Sequence, residues 1–392
     1  MQNPDWNRGA KLAEPVLMGV LLALVLVLYG YATWGGLITT QDSLDYLSAA
    51  QSFRQSGEFL SPDGSPYAHW PPFYPLLLAI ISSIHLPLVV FHAFGLVLIT
   101  ILLYVMARHT FNDLTWRISF WVLSLLGVYM LLMAVFVWSE LYFTFLLLLL
   151  LVVNRLRKYL PWADVFLVLI AFALCLQRSA GFFVLAGLAL ARVLENPSSV
   201  THWLRIALGA ALASSGFLYW QISRSLANAS GYNLAAHYFF VDFWHNVGVL
   251  LGGLERIFIP FSLPFYGFAF LFGIHLLLVW KYLDLYAKQI YLILGMYLLG
   301  YACMQKLDAG ELDRYLAPIV PLVFLVVMQG LEAFQKKFSP IVSKMIIGLV
   351  LLLMFYSLAR TANNVPRWHE RPMKGTKSVG LVEEVTWEAV SQ

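Results

Sequence analysis

Residues 69–84 read HWPPFYPLLLAIISSI, and the direction of everything after them in a bilayer turns on how they are read. The apolar part, 72–84, has about 13 residues, whereas a helix needs about 20 to cross the hydrocarbon core. Pro71, Pro72, Pro75 and Pro87 punctuate it, and each proline removes a backbone donor and disfavours helix in the residue before it. The segment therefore reads as a short, half-immersed helix and not as a crossing.

The rest of the chain gives that reading its context. Of 392 residues, 60% are hydrophobic and 12% charged, and the mean hydropathy is +0.75. A soluble domain keeps about a quarter of its residues charged. The apolar residues fall into runs that fit helical crossings at 15–35, 88–107, 116–137, 140–154, 161–177, 179–194, 203–222, 263–280, 289–305, 315–334 and 343–360. Backbone polar groups in lipid must be satisfied internally, so the expected fold class is an all-α membrane protein with about eleven transmembrane helices. The first run is too long for a signal-peptide core and has no small-residue cleavage site, so it reads as an uncleaved first crossing.

Charge placement chooses between the two topologies. With 72–84 non-spanning and the N-terminus cytoplasmic, the inner side holds Arg8, Lys11, Arg108, Arg117, Arg155, Arg157, Lys158, Arg192, Arg205, Lys281, Lys288, Lys336, Lys337 and Lys344. The outer side then holds Arg54, Arg178, Arg224, Arg256, Lys306 and Arg314, fourteen cations against six. A full crossing at 72–84 reverses all later segments and gives seven inside against thirteen outside. The first arrangement makes 1–360 one polytopic domain in the plasma (inner) membrane. Loops 36–87 and 223–262 are then external, as is a short C-terminal tail, 361–392.

Acidic and basic residues gather at that external boundary. Asp42 and Asp45 open a short helix whose Tyr46, Ala49 and Phe53 share a face. An aspartate there is favoured by the helix N-terminus, so Asp42 also reads as a simple cap. Glu140 follows Ser139 in an apolar hairpin that would do without a charge, and a carboxylate in hydrocarbon is costly, so it is expected to face a wet cavity. Arg178 occupies the next external turn. Lys306, Asp308, Glu311, Asp313 and Arg314 fill a later one. Snorkelling anchors account equally for Arg178 and Arg314, and pairing with Arg314 or capping accounts for Asp313. His237, Asp242 and His245 are spaced five and three apart, which suits a decorated interfacial helix better than a metal site. Cys175 and Cys303 sit inside apolar runs and read as small buried hydrophobes.

In order and placement these residues resemble a family. D-S-x-x-Y (Asp42, Ser43, Tyr46), then H-W-P-P-F-Y-P-L-L-L (His69 to Leu78), W-S-E-L-Y (Trp138 to Tyr142), Q-R-S-A-G (Gln177 to Gly181) and D-R-Y-L-A-P-I-V-P (Asp313 to Pro321) are similar to elements of the C-type (GT-C) glycosyltransferases. That family includes protein O-mannosyltransferases, lipid A aminoarabinose transferases and the catalytic oligosaccharyltransferase subunit. The resemblance spans most of 1–334.

It implies an inverting transferase that moves a hexosyl or pentosyl unit from a polyprenyl-phosphate-linked donor to an acceptor hydroxyl at the external face. The acceptor would be lipid, glycan or protein, and no nucleic acid is involved. The resemblance makes Asp42 the catalytic base. Asp45, Tyr46 and Glu140 would position the acceptor or a divalent metal, which Asp42 and Glu140 would hold if one is used. His69, Arg178, Lys306 and Arg314 would bind the donor phosphate. Two departures stand out: Ser43 occupies a position where many relatives carry a second acid, and Trp70 one where they often carry a base. A flippase for a lipid-linked sugar and a non-catalytic scaffold of the same fold remain the alternative functions.

Overall fold

With no water to satisfy the backbone inside an apolar layer, runs of Leu, Val, Ile and Phe have helix as their stable outcome, and the computed structural model follows this. It describes residues 4–68, 70–226, 242–260, 273, 275, 280, 283–304, 306–337 and 339–375, which contain helices and no named β-strand. In chain order these are α1 (Pro4–Ala32), α2 (Gln41–Ser56), α3 (Phe73–Ser83), α4 (Leu88–Thr110), α5 (Leu114–Leu125), α6 (Val128–Val135) and α7 (Glu140–Leu156). Then come α8 (Ala163–Gln177), α9 (Ala180–Glu195), α10 (Val200–Leu226) and α11 (Phe243–Phe258). The last four are α12 (Leu285–Ala302), α13 (Leu312–Leu316), α14 (Val320–Gln335) and α15 (Pro340–Gly375).

Five stretches are long and apolar enough to cross a bilayer: Ala13–Ala32, Leu88–Thr110, Leu114–Val135, Leu312–Gln335 and Pro340–Arg371. The α15 surface carries Ile341, Met345, Leu352 and Phe355 outward, each at least 67% exposed. A row of large apolar side chains facing outward on a rod with no protein partner is what lipid contact requires. The chain is a multi-pass membrane protein. The apolar segments expected from sequence coincide with helices, apart from 263–280. Most of that segment, His69, His237 and the aromatic Tyr238, Phe239 and Phe240 lie outside the described residues.

The short helix expected at 72–84 is α3, 11 residues long, folded against α2. Gly57 ends α2 in a left-handed conformation (φ 78°) that reverses the chain. The Tyr46 and Tyr74 rings then meet edge to face at 5.1 Å. Arg54 of α2 donates to Ser82 of α3, and the Tyr74 hydroxyl meets buried His92 of α4 at 3.2 Å. The first loop is thus a packed layer on the bundle.

Two other features set the frame. Helices α9 and α12 approach so closely that a Cβ on Gly187 would lie 2.7 Å from the Ile293 Cα, so only glycine fits there. Hydropathy falls away after residue 360, yet α15 does not stop. It runs on to Gly375 because Thr361, Val365 and Trp368, three to four residues apart, bury one stripe against the bundle. At 36 residues the helix is about 54 Å long, well beyond a 30 Å hydrocarbon layer.

Candidate active site

The site is assembled around the start of α2. Thr40 caps the helix: its backbone N–H donates to the Ser43 hydroxyl at 2.9 Å, and the Thr40 side chain accepts from the N3 backbone. Asp42 is therefore not the cap but a first-turn residue, free to turn its carboxylate elsewhere. The Ser43 hydroxyl also donates to Val137 O at 2.9 Å, 94 residues away. Ile38 and Phe136 form a single parallel bridge, with Ile38 N–H on Val135 O and Val137 N–H on Ile38 O, both at 3.0 Å. The Trp138 indole donates to Thr40 Oγ1 at 2.9 Å. These contacts bolt the first loop to the turn between α6 and α7. Ser43 is thus an anchor between the first loop and that turn.

That bolt sets Asp42 beside Glu140, the first residue of α7, and two arginines complete the arrangement. Arg178, at the C-terminus of α8, places Nη1 2.6 Å from Glu140 Oε1 and 2.9 Å from the Ser139 hydroxyl. Arg314, in α13, donates through Nε to the same Glu140 oxygen, and its Nη1 lies 2.5 Å from Asp42 Oδ2. The result is a continuous chain, Arg178–Glu140–Arg314–Asp42. Glu140 is fully buried and both arginine side chains are 6% exposed, whereas the Asp42 side chain is 22% exposed. Two carboxylates against two guanidinium groups leave no net charge in the buried part, which is the condition for keeping ions there at all. Arg178 lies over the Trp70 ring at 5.8 Å and Arg314 over the Trp138 ring at 4.7 Å.

Tyr46 lies one turn along α2, buried, with its hydroxyl 3.4 Å from Ser139 Oγ. Burial pushes its phenol up, so it stays neutral and can donate. Asp45 is half-buried on the same helix, outside the arginine chain. Its charge adds to the burial that raises Tyr67. Lys306 is exposed in the loop before α13 and also stands apart from the chain of ion pairs.

Among the described residues, two buried donors at this place lack a hydrogen-bond partner: Arg314 Nη2 and the Tyr67 hydroxyl. Buried donors without a partner are uncommon and call for an explanation, of which a bound ligand is one.

Two openings lead to the chain of charges. On the Asp42 side is a cavity of about 390 Å³, walled by Thr40, Asp42, Tyr129, Arg314 and, from α15, Arg360 and Arg371. Arg360 donates to the Tyr129 hydroxyl at 3.2 Å and lies 3.6 Å from Asp313. Asp313 thus pairs with Arg360 and not with its neighbour Arg314. On the Arg178 side Trp70, Phe183, Tyr301 and Tyr315 leave an aromatic cleft of only about 20 Å³, room for one water. Sequence reasoning missed the α15 wall. Its signal was the spacing of Arg360, Asn364, Trp368 and Arg371, which places them on one helical face.

A divalent metal does not fit the residues present. Asp42 and Glu140 each already take a guanidinium group, and Glu140 takes two. Among the described residues no cluster of three or more His, Cys, Asp or Glu side chains could hold an ion. A metal would have to displace an arginine and face the other.

The fold is similar to that of two solved membrane proteins, ArnT and the archaeal oligosaccharyltransferase AglB. ArnT from Cupriavidus metallidurans bound to undecaprenyl phosphate is similar over 91% of this chain and 77% of its own, at 12% identity and a TM-score of 0.59. The same protein in the apo state matches at 15% identity over 85% of this chain and 62% of its own, with a TM-score of 0.54. The archaeal oligosaccharyltransferase AglB from Archaeoglobus fulgidus, in complex with an inhibitory peptide and a dolichol-phosphate, matches over 89% of this chain and 56% of its own, at 15% identity and a TM-score of 0.51. The chain spans little more than half of that enzyme's length. No family model matches the chain, and no curated protein does.

Proposed function

We propose that this chain is an inverting glycosyltransferase that moves one sugar from a polyprenyl-phosphate carrier to an acceptor hydroxyl. The observation that carries the reading is the chain Arg178–Glu140–Arg314–Asp42, buried at one end and open at the other. The structural neighbours add weight, since one is bound to undecaprenyl phosphate and another to a dolichol-phosphate.

The chemistry follows from the two openings. The donor side is placed at Arg178, where the rings of Trp70, Tyr301 and Tyr315 must part for a lipid-linked phosphate to meet the guanidinium. The polar cavity suits an acceptor bearing hydroxyl groups. Asp42 takes the proton from the acceptor hydroxyl as its oxygen bonds to the anomeric carbon. The bond from that carbon to the phosphate oxygen breaks, its electron pair leaves with the phosphate, and the carrier departs as polyprenyl phosphate. Arg178 and the free Arg314 Nη2 stabilise the charge that grows on the leaving oxygen. Attack from the face opposite the departing phosphate inverts the anomeric centre.

Glu140 is a positioning residue in this scheme, holding both arginines at fixed height. Tyr46 and Asp45 flank the acceptor side. His69 and Lys306 join the donor side on sequence grounds alone. No metal is assigned a step. The proposed topology has eleven crossings, a cytoplasmic N-terminus and a plasma-membrane location, with the site at the external face. A transporter would place its ionisable residues near the middle of the bilayer. Here Arg178 and Glu140 mark helix ends, and Arg314 lies in the short helix before α14.

The test is Asp42→Asn. Loss of the glycan product, with expression and membrane insertion unchanged, is expected; an unchanged product sinks the assignment. Mass spectrometry of envelope glycans and lipids from cells lacking the chain would name sugar and acceptor together.

A further inference from the structure

At the opposite end of α8 and α9 from Arg178 there is a second cavity that the proposed reaction does not use. It is a groove of about 360 Å³ between α8, α9 and α10. Helix α8 spans 15 residues, about 22 Å, between the two places.

The walls are apolar and small: Leu167, Ala171, Leu188, Gly209, Ala210 and Ala213. The mouth is cationic. Arg192 comes from the last turn of α9, and His202 and Arg205 from the first turns of α10. Asp164 faces Arg192 at 3.2 Å but is 80% exposed, so it offsets little of the positive charge. The Arg192 Nε is buried with no hydrogen-bond partner among the described residues. Exposed Tyr159, Trp162 and Trp203 cluster around the same helix ends, at 69%, 68% and 44% exposure. Aromatic side chains at one level beside Lys and Arg mark a bilayer surface, so the mouth stands at headgroup height with its walls below in the acyl layer.

We propose that this groove binds an anionic phospholipid, one acyl chain between α8, α9 and α10 and the phosphate on Arg192 and Arg205. An apolar slot opening to lipid takes an acyl chain by shape, and the guanidinium pair at its top selects the headgroup by charge. The inference needs only the membrane setting and does not depend on the proposed transferase reaction.

The experiment titrates the purified full-length protein, in mild detergent, with phosphatidylglycerol or phosphatidylcholine of matched chains and reads binding by native mass spectrometry. Two arginines at about 1 kcal/mol each predict about thirty-fold tighter binding of the anionic lipid. The change Arg205→Ala, at an exposed position, removes about five-fold of that preference and leaves phosphatidylcholine unaffected. Gly209→Leu fills the groove and weakens both lipids. A Cβ there meets the nearest atom, on Val168, only at ordinary contact distance, 3.5 Å. Equal binding of the two lipids, or indifference to Arg205→Ala, overturns the proposal. So does binding of glycerol phosphate alone as tightly as the lipid, which would make the mouth a simple anion site. Should Gly209→Leu fail to give a monodisperse protein, the Arg205→Ala result decides.

Discussion

The two ends of the α8–α9 hairpin carry the same residue types and use them differently. At one end Arg178 meets Glu140 with side-chain exposures of 6% and 0%. At the other Arg192 meets Asp164 with exposures of 19% and 80%. The first pair lies in a place where an unpaired charge would be severely penalised, so each member fixes its neighbour's position. The second pair can trade its partner for water at little cost, which leaves Arg192 available to something else. Burial, and not the identity of the ions, separates a pair that fixes its members in place from one whose members can exchange partners.

That contrast can be broken from its most sensitive point downward. Asp42→Asn keeps the shape of the side chain but removes the base, and transfer from a polyprenyl-phosphate sugar should fall 10²–10⁴-fold in a purified-enzyme assay. Glu140→Gln leaves buried Arg178 without a counter-charge and Arg314 with only the more exposed Asp42 and Glu311. It should cost about 3–5 kcal/mol of stability, visible as a lowered thermal melting point in detergent. Arg178→Lys preserves charge but replaces the planar group whose Nη1 meets both Glu140 and Ser139 with a shorter ammonium. The expected cost is about 1.5–3 kcal/mol, appearing chiefly as a raised KM for the donor. Asp164→Ala, at the other end, should shift stability by no more than about 1 kcal/mol in the same melting experiment. The smallest expected effect is from a chelator: activity after treatment with EDTA should match the untreated enzyme, because arginines occupy both carboxylates. Loss of activity restored by a divalent ion would overturn that reading of the site.

Much of this was legible from the chain. Proline spacing and length marked α3, and the runs of apolar residues marked the bundle, because both effects are local in sequence. Asp42, Glu140, Arg178 and Arg314 were picked out individually because a charge beside hydrocarbon is conspicuous. Their pairing was not legible: Arg314 meets Glu140 across 174 residues, and no local pattern encodes which guanidinium reaches which carboxylate. The metal option at Asp42 and Glu140 could not be weighed from the sequence for the same reason, since only the packed structure shows guanidinium groups on those oxygens. Thr40, and not Asp42, capping α2 was readable in principle from the Thr40–Ser43 spacing. The α15 wall was hidden because its polar residues resemble a solvated tail until Thr361, Val365 and Trp368 find their contacts.

The bridge between Ile38 and Phe136 has a consequence for how the protein is made. A ribosome delivers Asp42 long before anything that holds it. Its anchor, Val137, arrives 94 residues after Ser43, and Arg314 follows Glu140 by another 174. Through most of that interval Glu140 has Arg178 as its only guanidinium partner, and Asp42 has none. The ion-pair chain is therefore complete only once α13 is in place, so a chain stopped before it would lack the Arg314 link between Glu140 and Asp42.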